Sequence, residues 1–391
     1  MHITTYGPSL VGRIASSINS ENINGRVLNL IRSIMPSSFG FSADTHDSSC
    51  AIKESGREMP LAKSHQRLRL KPLEAELSTK TLTRFVPFWN RLIKNIDGSA
   101  EFLSFNEHAM LSIESDIRKE AIQAGGHVLI QPRKADVRLI PGKVDRALIE
   151  KLPITNEGLY TYSVTFYSVS NKPSGKIIFR SKENLPQETV YFTKNAFTLP
   201  RGSFKSAIEI WESINDIHHL QPMLERAGIN YIDGIKSVSG KYAYPVDPEV
   251  TLSFLTRCQK DKTQTMIFVG NDASYLIYSG EILDLMHNEV NQNITIKGST
   301  SEMRKVYFKV DLKAIASAWV VIKTAEDNGV KRSVTSLEFF NAAGERIFAM
   351  FPYITHNGQR TEKWDQDLMS LTRSGFSVTG FLNYFKNIVN S

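Results

Sequence analysis

The sequence predicts an α+β fold: a tandem duplication of an antiparallel β-sheet domain with flanking helices. Three observations predict it. Two pairs of segments, well separated in the chain, align in the same order in each half. The strand-like segments alternate apolar and polar residues and are joined by short turns, the pattern of antiparallel pairing. No glycine-rich phosphate loop follows a strand, and the segments do not alternate as a βαβ array. A length of 391 residues also favours two domains over one.

Residues 1–60 differ from the rest in being rich in Ser, Asn and Ile. They are poor in acids at first and read as a disordered or targeting extension. The first repeat spans 61–200 and opens with a helix over "LTRFVPFWNRLIKNI". Its "FLSFNEHAMLSIES" (102–115) aligns with "IFVGNDASYLIYSG" (267–280), setting Asn106 against Asn271. "GHVLIQPRKADVRLI" and "KVYFKVDL" read as strands, each followed by a short amphipathic stretch such as "AIASAWVVIK". "SVTFYSVSNKPSGKIIF" (163–179) aligns with "SLEFFNAAGERIFAMF" (336–351); both read as hairpins turning at Gly175 and Gly344. A helical segment, 201–260, separates this repeat from the second, 261–391, which ends in a helix from "EKWDQDLMSLT" onward.

The bulk properties exclude several functions. A net charge of +7 favours anionic partners weakly, but Lys and Arg are scattered rather than striped, which argues against nucleic acid. No apolar run is long enough to predict a membrane span. Cys50 and Cys258, the two cysteines, are too few and too far apart for a disulfide framework or a cysteine-rich zinc site. Trp89, Trp211, Trp319 and Trp364 read as core anchors, and Tyr278 faces either core or pocket.

The chemistry concentrates in "WESINDIHHLQPMLERAG" (211–228). Ile208, Trp211 and Ile214 recur as an apolar helical stripe, Asn215 or Asp216 can cap a second helix, and Gly228 can end it. Pro222 should distort that second helix. His218 and His219 fall in its first turn and point in different directions. Zinc would want three or four ligands, which this stretch lacks. Haem needs one imidazole, apolar walls and cations for its propionates. Ligand and capped surface residue both remain open at this level.

The same segment resembles W-x-x-x-x-D-V-H-x-F-x-x-L-L-K of the bacterial haem-utilisation proteins of the HemS/ChuS type. "MIFVGNDASYLIYSG" is similar to V-F-V-G-N-x-G-x-x-Q-I-x-T-G, and "AIASAWVVIKTAEDNGVKRSVTSLEFFNAAGERI" to that family's I-A-E-A-W-V-x-R-K-P-T-x-D-G-x-V-T-S-L-E-L-F. In the first half, "SFNEHAM", "GHVLI" and "ADVRLI" resemble R-N-E-x-A-V, G-H-x-G-L and L-D-L-R-L-F. The likeness covers about residues 65–365.

The resemblance implies the duplicated sheet fold and, as ligand, haem b (iron protoporphyrin IX). It implies His218 as the iron ligand, with His219 a bystander, and Arg138 on the opposite side of the haem as the catalytic candidate. Lys323 and Arg360, the latter in an intact "GQRTE", are implied as propionate contacts. It further implies a protein of the bacterial cytoplasm that sequesters, transfers or degrades imported haem. Partners would be a haem transporter or a reductase, and a homodimer is admitted. The sequence departs from the family at Tyr231, Ala349, Phe351, Phe105 and Ile322, which removes several polar contacts. The competing readings are a haem-free scaffold acting as an interaction module, exported through the extension, and a pocket for another planar anion.

Overall fold

The computed structural model describes residues 84–371 apart from 117–121, 125–126, 131–135, 141, 157–158, 193–203, 205, 300–304, 328–329, 354–361 and 370. The expected 1–60 extension, Cys50 and Arg360 therefore lie outside the described residues. The first repeat begins with α1 (Phe85–Leu92) and then runs through strands. These are β1 (Ser99–Phe105), β2 (Ala109–Asp116), β3 (Ile122–Ala124), β4 (His127–Ile130), β5 (Asp136–Leu139), β6 (Val144–Asn156), β7 (Leu159–Ser168), β8 (Pro173–Ser181) and β9 (Glu188–Tyr191). Helices α2 (Ala207–Ser213), α3 (Leu220–Arg226) and α4 (Tyr231–Ser237) follow, with a 3₁₀ turn at Ile217–His219. Then come β10 (Ala243–Val246), α5 (Val250–Lys260), β11 (Thr265–Gly270), β12 (Ser274–Asn288), β13 (Asn293–Ser299) and β14 (Lys305–Asp311). The second repeat closes with β15 (Ser317–Asp327), β16 (Val330–Phe340), β17 (Arg346–Pro352) and α6 (Glu362–Met369).

All the strand pairings described are antiparallel, and they build two sheets. One has the order β9–β6–β7–β8–β1–β2–β14–β13–β12, the other β10–β15–β16–β17–β11–β12–β5–β4–β3. The orders correspond element by element, which is the duplication. Each sheet also borrows strands from the other repeat: β13 and β14 extend the first sheet, and β3 to β5 extend the second. Strand β12 pairs with β11 and β5 at its start and with β13 at its end, so it passes from one sheet to the other.

The aligned asparagines explain the match in physical terms. Asn106 Oδ1 accepts from the backbone N–H of His108 and Ala109, closing the β1–β2 turn, and Asn271 Oδ1 does the same for Ala273 and Ser274. Each amide then reaches the other repeat. Asn106 Nδ2 donates to the carbonyls of Gly270 (2.9 Å) and Ile347 (2.7 Å), and Asn271 Nδ2 donates to that of Pro173 (3.4 Å).

One apolar core, fed by both repeats, includes Phe102, Ile113, Val164, Leu276, Tyr278, Phe308 and Phe339. Tyr278 is thus a core residue, fully buried, with its hydroxyl donating to the Glu281 carbonyl. The four tryptophans are buried as anchors. The opposite face of the second sheet carries Trp319, Val321 and Phe340, and α2 to α4 pack there through Ile210, Trp211, Leu220, Leu224 and Ile235. Trp211 Nε1 pins α2 to that sheet by donating to the Ile322 carbonyl at 2.8 Å.

Several local expectations need correction. "AIASAWVVIK" is a strand after a 3₁₀ turn at Leu312–Ala314, because alternate residues face two buried surfaces. Gly175 lies inside β8, opposite Phe166 and Ser104, while the turn falls at Val169–Lys172. Gly344 does sit in its turn, at φ +80°. On α2 the buried face is Ala207, Ile210 and Trp211, and Ile208 is exposed. Pro222 distorts nothing: α3 starts afresh at Leu220, so the missing N–H falls in a first turn where it has no helical partner. Gly228 ends that helix at φ +72°.

Candidate functional site

The site lies between the helical layer and the second sheet, and it is built on one carboxylate. After Ile214 ends α2 in extended conformation, Asp216 caps the next turn by accepting from the backbone N–H of His218 at 2.9 Å. The same oxygen, Oδ1, stands 2.6 Å from His218 Nδ1. Burial opposes ionisation of Asp216, but the ring and backbone hydrogen bonds from His218 outweigh it and hold the carboxyl at about 2.

On the other side of the ring, Arg138 Nη1 lies 2.9 Å from His218 Nε2. An ionised carboxylate can only accept, and a guanidinium can only donate. The imidazole that satisfies both carries its proton on Nδ1 and offers its lone pair from Nε2. Arg138 is itself held by Asp136, two residues earlier on the same face of β5, through Nε–Oδ1 at 3.4 Å and Nη2–Oδ2 at 3.1 Å. Side-chain exposures of 14% for Asp136, 23% for Arg138, 29% for His218 and 35% for Asp216 grade from interior to rim.

Strand exchange makes this contact. Arg138 belongs to the first repeat, yet β5 pairs with β12 of the second sheet, where Arg138 stands opposite Tyr275. Further along that face is a second polar group centred on Glu338, which is fully buried. Its carboxylate accepts from Lys323 Nζ (2.6 Å), Ser336 Oγ (2.8 Å), Tyr231 Oη (3.2 Å) and Arg346 Nη1 (3.3 Å). Burial opposes its charge, but Lys323 and Arg346 hold Glu338 at about 2. Burial pushes the Lys323 ammonium below its ordinary value. The Arg346 guanidinium stands 5.4 Å from the centroid of the Tyr231 ring and 5.1 Å from that of Tyr275. Burial raises both phenols, so they remain neutral beside it.

The structure brings His218 and Arg138 into direct contact. Lys323 lies on the same face of the sheet, with its ammonium engaged by Glu338. His219 is half-buried in the same turn. Sequence reasoning missed Asp136, Glu338 and Arg346. The available signal was period two: Asp136 and Arg138, or Ser336 and Glu338, are spaced to share one face of a strand. A charged residue on an inward face asks for a partner.

The residues fit haem in donor type. One imidazole lone pair is oriented by a carboxylate, and cations stand along the same face. In this conformation Arg138 occupies the Nε2 position, so a planar ligand that coordinates His218 has to part the two.

Residues 228–371 match the family described as the haemin-degrading HemS.ChuX domain. Over that segment the chain is similar to proteins of the HemS/ChuS type. It is 27% identical over 166 residues to the hemin transport protein HmuS of Yersinia pestis, covering 41% of this chain and 44% of that one. It is 24% identical over 181 residues to the hemin transport protein HemS of Yersinia enterocolitica, covering 46% and 49%. The chain thus spans about half the length of the curated relatives it matches. Its fold is that of holo-PhuS, a haem-binding protein from Pseudomonas aeruginosa (TM-score 0.56, 19% identity, 74% of this chain and 85% of that one). It is equally that of ChuS, an Escherichia coli haem oxygenase (TM-score 0.57, 21% identity, 72% and 86%). Among the described residues no helix is long and apolar enough to cross a membrane.

Proposed function

We propose that this chain binds haem b as cargo or substrate, with His218 Nε2 as the iron ligand, and that it sequesters, transfers or degrades haem in the bacterial cytoplasm. The observation that carries the reading is the Asp216–His218–Arg138 array, whose donors and acceptors orient one imidazole lone pair toward a guanidinium from the other repeat. The relatives' names point the same way: two are hemin transport proteins and one structural neighbour is a haem oxygenase. On this reading the bound haem would supply an iron able to take up a further small ligand. The protein's residues orient the imidazole (Asp216), face the opposite side of the plate (Arg138) and balance the propionates (Lys323, with Arg360 outside the described residues). A haem transporter or a reductase would be the partner, and a homodimer would be the assembly.

One observation favours a second reading. The Arg138–His218 and Lys323–Glu338 pairings give the polar groups partners without any ligand, as a haem-free interaction scaffold would also require. Titrating the purified full chain with hemin separates the two. The haem reading predicts one equivalent per chain, with a Soret band altered by His218→Ala and unchanged by His219→Ala. Absence of a saturable band, or a band indifferent to both substitutions, favours the scaffold.

A further inference from the structure

Along the helix-covered face of the second sheet Arg138 is matched by Asp136, but around Glu338 the direct ion pairs do not balance. Glu338 is one carboxylate, fully buried, and two cations converge on it. Tyr231 and Tyr275, which line the same group, are neutral. Two cations thus share one carboxylate in direct contact, with Asp272 and Glu225 acting on Tyr275 only from further off, and a shared, poorly solvated cation favours a further anion at close range.

The two cations are not equivalent. Lys323 is 7% exposed in its side chain and its ammonium sits at 2.6 Å from Glu338. Taking a second carboxylate there would mean dismantling the buried pair. Arg346 is 19% exposed and contacts the other Glu338 oxygen at 3.3 Å. A guanidinium has five N–H donors in a planar fork, of which Glu338 and the Tyr275 phenol take a part. Two aromatic rings hold its plane, so little side-chain entropy remains to be lost on binding.

Position in the sheet connects this group to His218. Tyr275 is the cross-strand partner of Arg138 and also the ring against which Arg346 lies. Between β12 and β17 stands β11, where the residue opposite Tyr275 is Gly270, so no side chain intervenes. Arg138 and Arg346 are three strand spacings apart, about 14 Å, a span that two converging long side chains and a porphyrin-sized plate can fill.

We infer that Arg346 is the residue that selects ligands bearing carboxylates at this site, receiving a propionate through the part of its guanidinium fork not spent on Glu338 and Tyr275. This rests on the haem reading above and adds to it a specificity-determining residue on β17.

The test compares hemin with hemin dimethyl ester, in which both propionates are blocked, on the full chain. Wild type is expected to bind the diacid more tightly than the ester. Arg346→Gln is expected to lose about 10- to 100-fold in diacid affinity, the value of a charge-assisted hydrogen bond, with ester affinity nearly unchanged. Far-UV circular dichroism and a thermal melt check that the variant folds. If Arg346→Gln holds the diacid as tightly as wild type, or weakens both ligands equally, the inference is overturned. Should that variant not fold, Arg346→Lys on the same two ligands decides. A several-fold loss of the diacid preference supports the guanidinium fork, and an unchanged preference overturns it. If wild type shows no His218-dependent Soret band with either ligand, the haem reading itself fails and this inference falls with it.

Discussion

Asp216 is the residue whose loss tests the site most directly. Its single oxygen Oδ1 fixes both the backbone turn and the ring of His218, at 2.9 and 2.6 Å. Asp216→Ala removes both contacts at once. The lost cap costs about 1 kcal/mol. The ring bond adds less than a buried charge-assisted bond would, because the carboxylate side chain is 35% exposed and water partly replaces it; a total of about 1–2 kcal/mol follows. The larger consequence concerns the ring. With Arg138 still donating to Nε2 but nothing accepting from Nδ1, the ring loses its orienting partner, and removal of such a partner typically weakens metal affinity about 10- to 100-fold. Nitrogen-15 NMR of the His218 ring in the ligand-free chain should show Nδ1 protonated in both, because Arg138 still donates to Nε2, but the Nδ1 proton should exchange with water faster in the variant. Hemin titration should show the affinity loss. A variant that keeps wild-type affinity and a wild-type Nδ1 proton exchange rate would refute the assignment of Asp216 as the orienting group.

Other outcomes follow from the same geometry. Glu338→Gln leaves Lys323 and Arg346 facing each other without a buried anion and should destabilise the fold by about 3–5 kcal/mol in urea unfolding. Glu338 also sets an acid limit. Its folded pKa, about 2, lies below its ordinary 4.5, so its stabilising contribution is complete above about pH 4.5 and is lost as pH falls toward 2. Wild-type unfolding free energy should fall across that window, and Glu338→Gln should flatten the slope. Asn106→Ala removes two turn-closing and two cross-repeat hydrogen bonds and should cost about 2–4 kcal/mol. Asn271→Ala, with one weaker cross-repeat bond, should cost less; equal costs in thermal melts would contradict the bridging role. Arg138→Ala frees His218 Nε2 from its guanidinium, so stopped-flow mixing with hemin should show faster association than wild type. A slower rate would mean that the closed contact does not limit entry.

Much of this was legible in the residues. Period-two alternation marks most of the strands, because a strand buried on one side cannot carry its apolar residues otherwise. "AIASAWVVIK" escaped that rule because β15 is buried on both faces, by the shared core and by the helices, and so reads as nearly continuous apolar sequence. Asp216 announced itself as a cap by residue type and position, and His218 stood out through a family resemblance that local spacing alone left open. Pro222 misled because its effect depends on whether a helix is already under way, and that is set by the 3₁₀ turn before it.

Sequence by itself therefore determined the duplication, the antiparallel class and the segment that carries the histidine. Each of these is written in neighbours a few residues apart, through pleat, turn and cap. The site's composition is different in kind. Arg138 meets His218 across 80 residues because β5 crosses into the sheet of the other repeat. Glu338 gathers its donors from β15, α4 and β17 as well as its own strand. No local period encodes which repeat's strand adds to which sheet edge. That choice is made by the sum of backbone ladders and a shared apolar core, and only the tertiary structure records it.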